Sequence, residues 1–332
     1  MRKSLLDELP QPATVDAALK ALEQNFAAGT DGTKLFIATP QADGSIKRMS
    51  ADVMRAAAEA THRRGQLVFV HPTDFIGVQA ALDAHVDILA HPPLGQSSPW
   101  PEALLKQVRD AGMAMIPTLE LLPFELQKEQ VPPQIAKRVV NESVQEFGRF
   151  AAMGGQILFG TDVGYMTDFD PTLEYELMAQ AGMTPMQILA SLTIAPAARW
   201  HEQGRRGRLA AGMDADIVVL NADPADSPRN FADVRCVIRG GEVIYERHYS
   251  FASDAAAAEW FEDRVANLDT TLCVRPLLES ASTDERARVA QHDVIETPGL
   301  IGSERIDLAS LRAGMVSSSS TPERSAASSG CR

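Results

Sequence analysis

Five times between residues 14 and 160 the chain passes from an amphipathic stretch to a short, largely apolar run. The runs 33–39, 67–70, 86–90, 113–118 and 156–159 are continuous rather than alternating. That texture belongs to parallel strands buried on both faces. The stretches between them have helical spacing. Residues 14–28 put Val15, Ala18, Leu19, Leu22 and Phe26 on one face, with Thr14 to cap the helix and Gly29 to end it. Ser50 caps a second helix reaching Gly65, with Val53, Ala56, Ala57 and Ala60 inward. Further helices are expected over 75–84, 100–111, 132–153 and 171–181, and from Thr184, where Pro185 takes the first helical position. Strand and helix in strict alternation predict an α/β fold around a parallel sheet. Lys34, His71, His91 and Asp162 fall at the ends of the apolar runs. In a (β/α) barrel the C-terminal strand ends form the catalytic rim.

The texture changes after about residue 204. Short β segments are expected at 208–209, 215–220, 234–239 and 242–245, with turns at Gly212 and Gly240-Gly241. Beyond residue 250 polar residues accumulate, and 317–330 is Ser-rich. The expected divisions are 1–204, a partial barrel; 205–248, a small β-sandwich segment; and 249–332, a disordered tail.

The chain has 332 residues, enough for one large or two ordinary domains, and 45% are apolar, enough for a core. The formal net charge of -13 argues against nucleic acid or an anionic membrane as the main partner. A small-molecule substrate is the expected partner. Cys236, Cys273 and Cys331 show neither disulfide nor metal spacing. No run of apolar residues is long enough to cross a membrane. Residues 1–10 carry a basic pair but no apolar stretch, so no secretory signal is read there.

Imidazoles and a carboxylate are the ligand types that two divalent ions about 3.5–4 Å apart require in a hydrolytic site. A buried lysine has a lowered pKa, and its neutral amine can react with carbon dioxide to give a carbamate that bridges two ions. Each residue also has a plainer reading. Lys34 can hold its amine in solvent, His71 and His91 can be satisfied core histidines, and Asp162 can cap a helix. What favours a site is that all four fall on one rim.

From about residue 14 to 246 the chain resembles the C-terminal two-thirds of an amidohydrolase-superfamily enzyme, of the imidazolonepropionase-like and Xaa-Pro dipeptidase-like branch. DGTKLFIA followed by MSADVMRAAAEATHRRGQLVFVH resembles the stretch from the fourth to the fifth barrel strand. ALDAHVDILAH resembles the approach to the sixth, and ILFGTDVG the eighth. AGMTPMQILASLTIAPAAR with GRLAAGMDADIVVLNADP resembles the exit from the barrel into a β-sandwich.

The resemblance implies an incomplete (β/α)8 TIM-type barrel, strands four to eight. It implies Lys34 as a carboxylated bridging lysine and His71 and His91 as ligands of the more exposed metal. Asp162 is implied as ligand of the buried metal and general base, and zinc as the metal, in one or two ions. The reaction implied is hydrolysis of an amide or cyclic-amide C–N bond.

The first-strand His-x-His of that family is absent. Only 33 residues precede Lys34, and none is histidine. Two strand edges are then expected to stay open. The first explanation is that Met1 is an internal methionine and the true start lies upstream. A second copy or a complementing chain is another, as a candidate partner, and an inactive barrel remnant or scaffold is the alternative function. A mononuclear site without a carbamate is the alternative chemistry. His85 stands where the family usually has glycine and is read as surface variation. His62, His201, His248 and His292 are read as structural or exposed.

Overall fold

The computed structural model describes residues 10–40, 46–93 and 98–247. All of them fall in one compact unit, Met1–Arg247. The expected tail, His248 and His292 lie outside the described residues.

The centre is a parallel sheet of four strands: β1 (Gly32–Phe36), β4 (Leu67–His71), β5 (Ile88–Leu89) and β6 (Ala114–Met115), in that spatial order. A parallel bridge from Met115 to Ile157 adds a fifth position beside β6. Chain order and sheet order coincide, as successive βα crossovers require. The later strands are shorter than their apolar runs. The 113–118 run keeps two residues of ladder, and the 156–159 run keeps a single bridge.

The expected helices form. α1 (Val15–Ala27) starts where the Ala17 amide donates to Thr14 Oγ1, and Ala18, Leu22 and Phe26 are its buried stripe. α2 (Ala51–His62) is capped by Ser50 and buries Val53, Met54, Ala57, Ala58, Ala60 and Thr61. α3 (Phe75–Asp83), α4 (Glu102–Asp110) and α6 (Pro133–Ala152) follow the pattern. So do α7 (Thr172–Gln180) and α8 (Pro185–Leu192), the latter opened by a capping box of Thr184 and Gln187. Helix and sheet meet in a main core where Val68, Val70, Leu89, Val108, Phe150 and Met178 are fully buried, and Ile88, Ala114 and Leu158 make a second, smaller cluster. Each such large side chain contributes about 1.5–3 kcal/mol by leaving water.

Several expectations need correction. After β1 the chain makes a hairpin of β2 (Ala38–Pro40) and β3 (Ile46–Arg48), so the 33–39 run is not one strand. Between β6 and α6 lies a further helix, α5 (Leu121–Lys128), that the helical spacing did not announce. A short α9 (Ile194–Arg199) follows α8. Arg208-Leu209 is not a strand: Leu209 is exposed, and nothing pairs with it among the described residues.

The other late β segments do form. β7 (Ile217–Leu220), β8 (Val234–Arg239) and β9 (Glu242–Glu246) make an antiparallel sheet that turns at Gly240-Gly241. Phe231, in the short 3-10 turn before β8, packs on Tyr175 of α7 with ring centroids 5.2 Å apart.

Candidate active site

Side-chain alternation in β1 and β4 decides which residues can meet. Thr33, Leu35, Val68 and Val70 are buried, so Lys34, Phe36, Phe69 and His71 share the opposite face. Register pairs Lys34 with Phe69 and Phe36 with His71. Lys34 Nζ lies 5.2 Å from the centroid of the Phe36 ring, and that ring stacks on His71 at 5.5 Å. His71 in turn meets His91 at 5.0 Å, edge to face.

The turn after His71 is fixed by close contact. A Cβ on Gly77 would sit 1.9 Å from the Pro72 carbonyl oxygen, so the first turn of α3 seats on the His71-Pro72 backbone only as glycine. Asp74 caps that turn through the Gly77 amide at 2.8 Å and pairs with Arg48 at 2.6 Å.

His91 is almost wholly buried, and its Nδ1 lies 2.9 Å from Thr118 Oγ1. With Nδ1 committed to that hydroxyl, Nε2 is the ring nitrogen left for a ligand. Asp162 follows Gly160-Thr161, where a Cβ on Gly160 would come 2.6 Å from Ile116 Cγ2. Asp162 holds φ +65, a left-handed conformation, and its carbonyl accepts from the amides of Tyr165 and Met166. It caps no helix, since the next, α7, begins ten residues on. A strained backbone at a polar residue on a strand-end loop is a common mark of a functional position.

Electrostatics tie the four together. Burial lowers the His71 pKa to about 4, with the Lys34 charge adding to the effect. Burial lowers His91 to about 3, with His71 and Lys34 adding. Both imidazoles are therefore neutral near pH 7, with lone pairs available to a metal. Burial raises the Asp162 pKa, and Lys34 opposes the rise. Desolvation lowers the Lys34 pKa, and Asp162 opposes that. Yet Lys34 is exposed on its open face. The exposure outweighs the shift here, because water that reaches an ammonium keeps it largely charged.

His71, His91 and Asp162 thus lie at strand ends, while Lys34 stands in the middle of β1 opposite Phe69, on the face that carries His71. Their donors fit a divalent ion in kind but fall short in number. Among the described residues no group of three or more His, Cys, Asp or Glu side chains is placed to hold a metal. His71 and His91 are adjacent, while Asp162 is linked to them through the Lys34 charge. Thr118 was not singled out from sequence, although it ends an apolar run as the others do. His85 is exposed with φ +55, a backbone suited to glycine. His62 lies 2.7 Å from Asp87, whose carboxylate also accepts the Val68 amide, and His201 is exposed.

Comparison with known proteins bears on this geometry. Ochratoxinase of Aspergillus niger is 22% identical over 214 residues, covering 60% of this chain and 42% of that protein. A solved Xaa-Pro dipeptidase with methionine bound in its active site superposes with a TM-score of 0.63 at 22% identity, over 74% of this chain and 64% of that one. A putative prolidase from Bifidobacterium longum gives 0.60 at 28% identity, over 75% and 65%. The chain therefore spans less than half the length of the ochratoxinase and about two-thirds of the solved relatives. The sequence model of the amidohydrolase family matches residues 78–245. That match takes in half of the chain, from α3 through β9, and the protein belongs to the amidohydrolase family.

Proposed function

We propose that the chain forms strands four to eight of an amidohydrolase TIM-type barrel and serves a metal-dependent hydrolase of amide or cyclic-amide C–N bonds. One observation carries the reading: two neutral imidazoles, His71 and His91, meet at 5.0 Å beside Lys34 and Asp162 in a chain of this family. Zinc is the proposed metal, as one or two ions. His71 and His91 would hold it with Asp162, and Lys34, as a carbamate, would bridge a pair. When bound, such an ion lowers the pKa of water to about 7 and polarises the carbonyl under attack.

The chain's own groups do the rest. Asp162 takes a proton from the attacking water and passes it to the leaving nitrogen. Its raised pKa suits that exchange. Thr118 keeps the His91 ring in one orientation. Phe36 and Phe69 provide an apolar floor on the Lys34 face. The names Xaa-Pro dipeptidase and prolidase point to dipeptides ending in proline as substrates, and other acylated amino acids are proposed beside them by analogy.

Open edges support the partial barrel. Among the described residues β1 pairs only with β4 on its sheet, and no strand of that sheet lies beyond the Ile157 bridge. A second copy or a complementing chain is the proposed macromolecular partner. Neither nucleic acid nor membrane is proposed. Residues 205–248 are the proposed sandwich segment, described as far as Arg247. A second reading, an inactive remnant or scaffold, is favoured by the lack, among the described residues, of a third donor grouped with His71 and His91.

The deciding experiment expresses the full chain with zinc. It measures metal per chain and hydrolysis of Ala-Pro and N-acyl amino acids. Stoichiometric zinc that His71→Ala abolishes, with turnover, supports the hydrolase. Folded protein with neither zinc nor turnover leaves the remnant reading.

A further inference from the structure

We infer that Glu174 is a positioning residue for His91, acting through the turn at residues 118–120. Glu174 lies in the first turn of α7 and is completely buried. The Glu120 amide donates to its Oε2 at 2.8 Å, and the nearby Leu119 amide favours the carboxylate electrostatically, while the buried Oε1 has no hydrogen-bond partner among the described residues. Glu120 returns the contact: the Glu174 amide donates to Glu120 Oε2 at 3.2 Å. Two segments 54 residues apart are thus joined by reciprocal carboxyl-to-backbone bonds.

The bracket sits where the backbone needs it. α5 begins with no side-chain cap of its own: the Leu121 and Leu122 amides turn back to the Thr118 and Leu119 carbonyls, while the Glu120 amide, just before the helix, finds no acceptor in its own turn. Glu174 supplies one from another helix. Just before the bracket, Thr118 stands at φ +42, a costly conformation for a β-branched residue. Such strain persists only where the surroundings hold it. Thr118 is the residue whose hydroxyl meets His91 Nδ1 at 2.9 Å. The line of support therefore runs from Glu174 to the Glu120 amide, to the Thr118 backbone, to the His91 ring. It also links the helix after the Asp162 loop to the strand end that steadies His91.

The proposal rests on reading His91 as a metal ligand, and the experiment separates the two. In metal-free full chain with 15N-labelled histidine, imidazole NMR reports the His91 tautomer. Wild type and Glu174→Gln, which keeps the acceptor oxygen, are expected to show a single form protonated at Nδ1. Glu174→Met, which fills the space without accepting, and Thr118→Val are expected to show a mixture. Zinc affinity by chelator competition is expected to drop about 10–100-fold in each of the latter two. The double variant should be no weaker than the worse single, because both act on one link. A wild-type His91 signal in Glu174→Met, or losses that multiply, would overturn the inference. If wild type binds no zinc, the metal reading fails while the tautomer result still decides the bracing. If Glu174→Met does not fold, amide exchange in wild type decides: slow exchange at Glu120 upholds the bracket, and fast exchange removes it.

Discussion

The His71 and His91 rings meet edge to face at 5.0 Å across the ends of two adjacent parallel strands. That spacing follows from the sheet, whose strands lie about 4.8 Å apart. The local sequence makes the meeting costly for charge. Neither ring faces a carboxylate partner within hydrogen-bonding distance among the described residues, and Lys34 adds a positive charge beside them. Two uncharged imidazoles side by side are stable until one takes a proton. The same condition leaves both available to a cation.

The first prediction concerns acid. The folded pKa values of about 4 and about 3 lie below the ordinary 6.5. Below pH 6.5 the unfolded chain therefore binds more protons, and the stability these rings confer is present above 6.5 and lost as pH falls toward 4. The slope is up to about 1.4 kcal/mol per pH unit for each ring. Urea unfolding of metal-free wild type and His91→Gln tests it. Their difference should shrink steadily from pH 6.5 to 4, and a constant difference refutes the neutral, buried assignment.

What the sequence revealed and what it hid divide along physical lines. The caps at Thr14 and Ser50 and the apolar stripe of α1 are local, and they formed as read. The rim positions of His71, His91 and Asp162 follow from strand ends, which apolar runs announce. The β2–β3 hairpin was hidden because its described strand Ile46–Arg48 is exposed throughout and has no alternation to detect. α5 was hidden because it carries a proline and lacks a side-chain cap. The Glu120–Glu174 bracket joins residues 54 apart and leaves no trace in either local pattern.

Lys34 offers a chemical test of the carbamate. Lys34→Ala should lower hydrolysis by about two orders of magnitude, as loss of a group that organises a metal site does. Added acetate or propionate should restore part of it by supplying the missing carboxylate. Rescue measured as rate against carboxylate concentration supports a bridging anion at this position. Unchanged activity in the alanine variant removes Lys34 from the site.

Gly77 couples a packing contact to the site. A methyl group there meets the Pro72 carbonyl oxygen at 1.9 Å, so Gly77→Ala must push α3 away from the His71-Pro72 turn. Overpacking of this kind costs about 1–3 kcal/mol. Zinc affinity should fall as well, because His71 immediately precedes the displaced proline. Gly204→Ala is the control, since an added Cβ there has no neighbour within 4 Å and the backbone is not left-handed. Chemical denaturation and zinc titration of both variants check the prediction. Equal behaviour of the two would show that the turn yields without moving His71.

The carboxyl pair predicts the opposite pH trend from the histidines. Burial raises Glu120 to about 7 and Glu174 to about 8, each further disfavoured by negative charge: Asp168 and Asp170 on Glu120, and Glu120 on Glu174. Tyr175 beside them is raised too, by burial and by both carboxyls. With folded values above the ordinary 4.5, the folded protein binds more protons. Stability is fully present below about pH 4.5 and is lost as pH rises through 7 and 8. Glu174→Gln keeps an acceptor for the Glu120 amide but cannot ionise. Relative to wild type it should gain stability from pH 5 to 9, by up to about 1.4 kcal/mol per pH unit within the window. Thermal unfolding at both ends of that range reads the effect. If the variant and wild type keep a fixed gap throughout, Glu174 is already ionised in the fold, and the Glu120 amide must then hold a buried charge rather than a neutral acid.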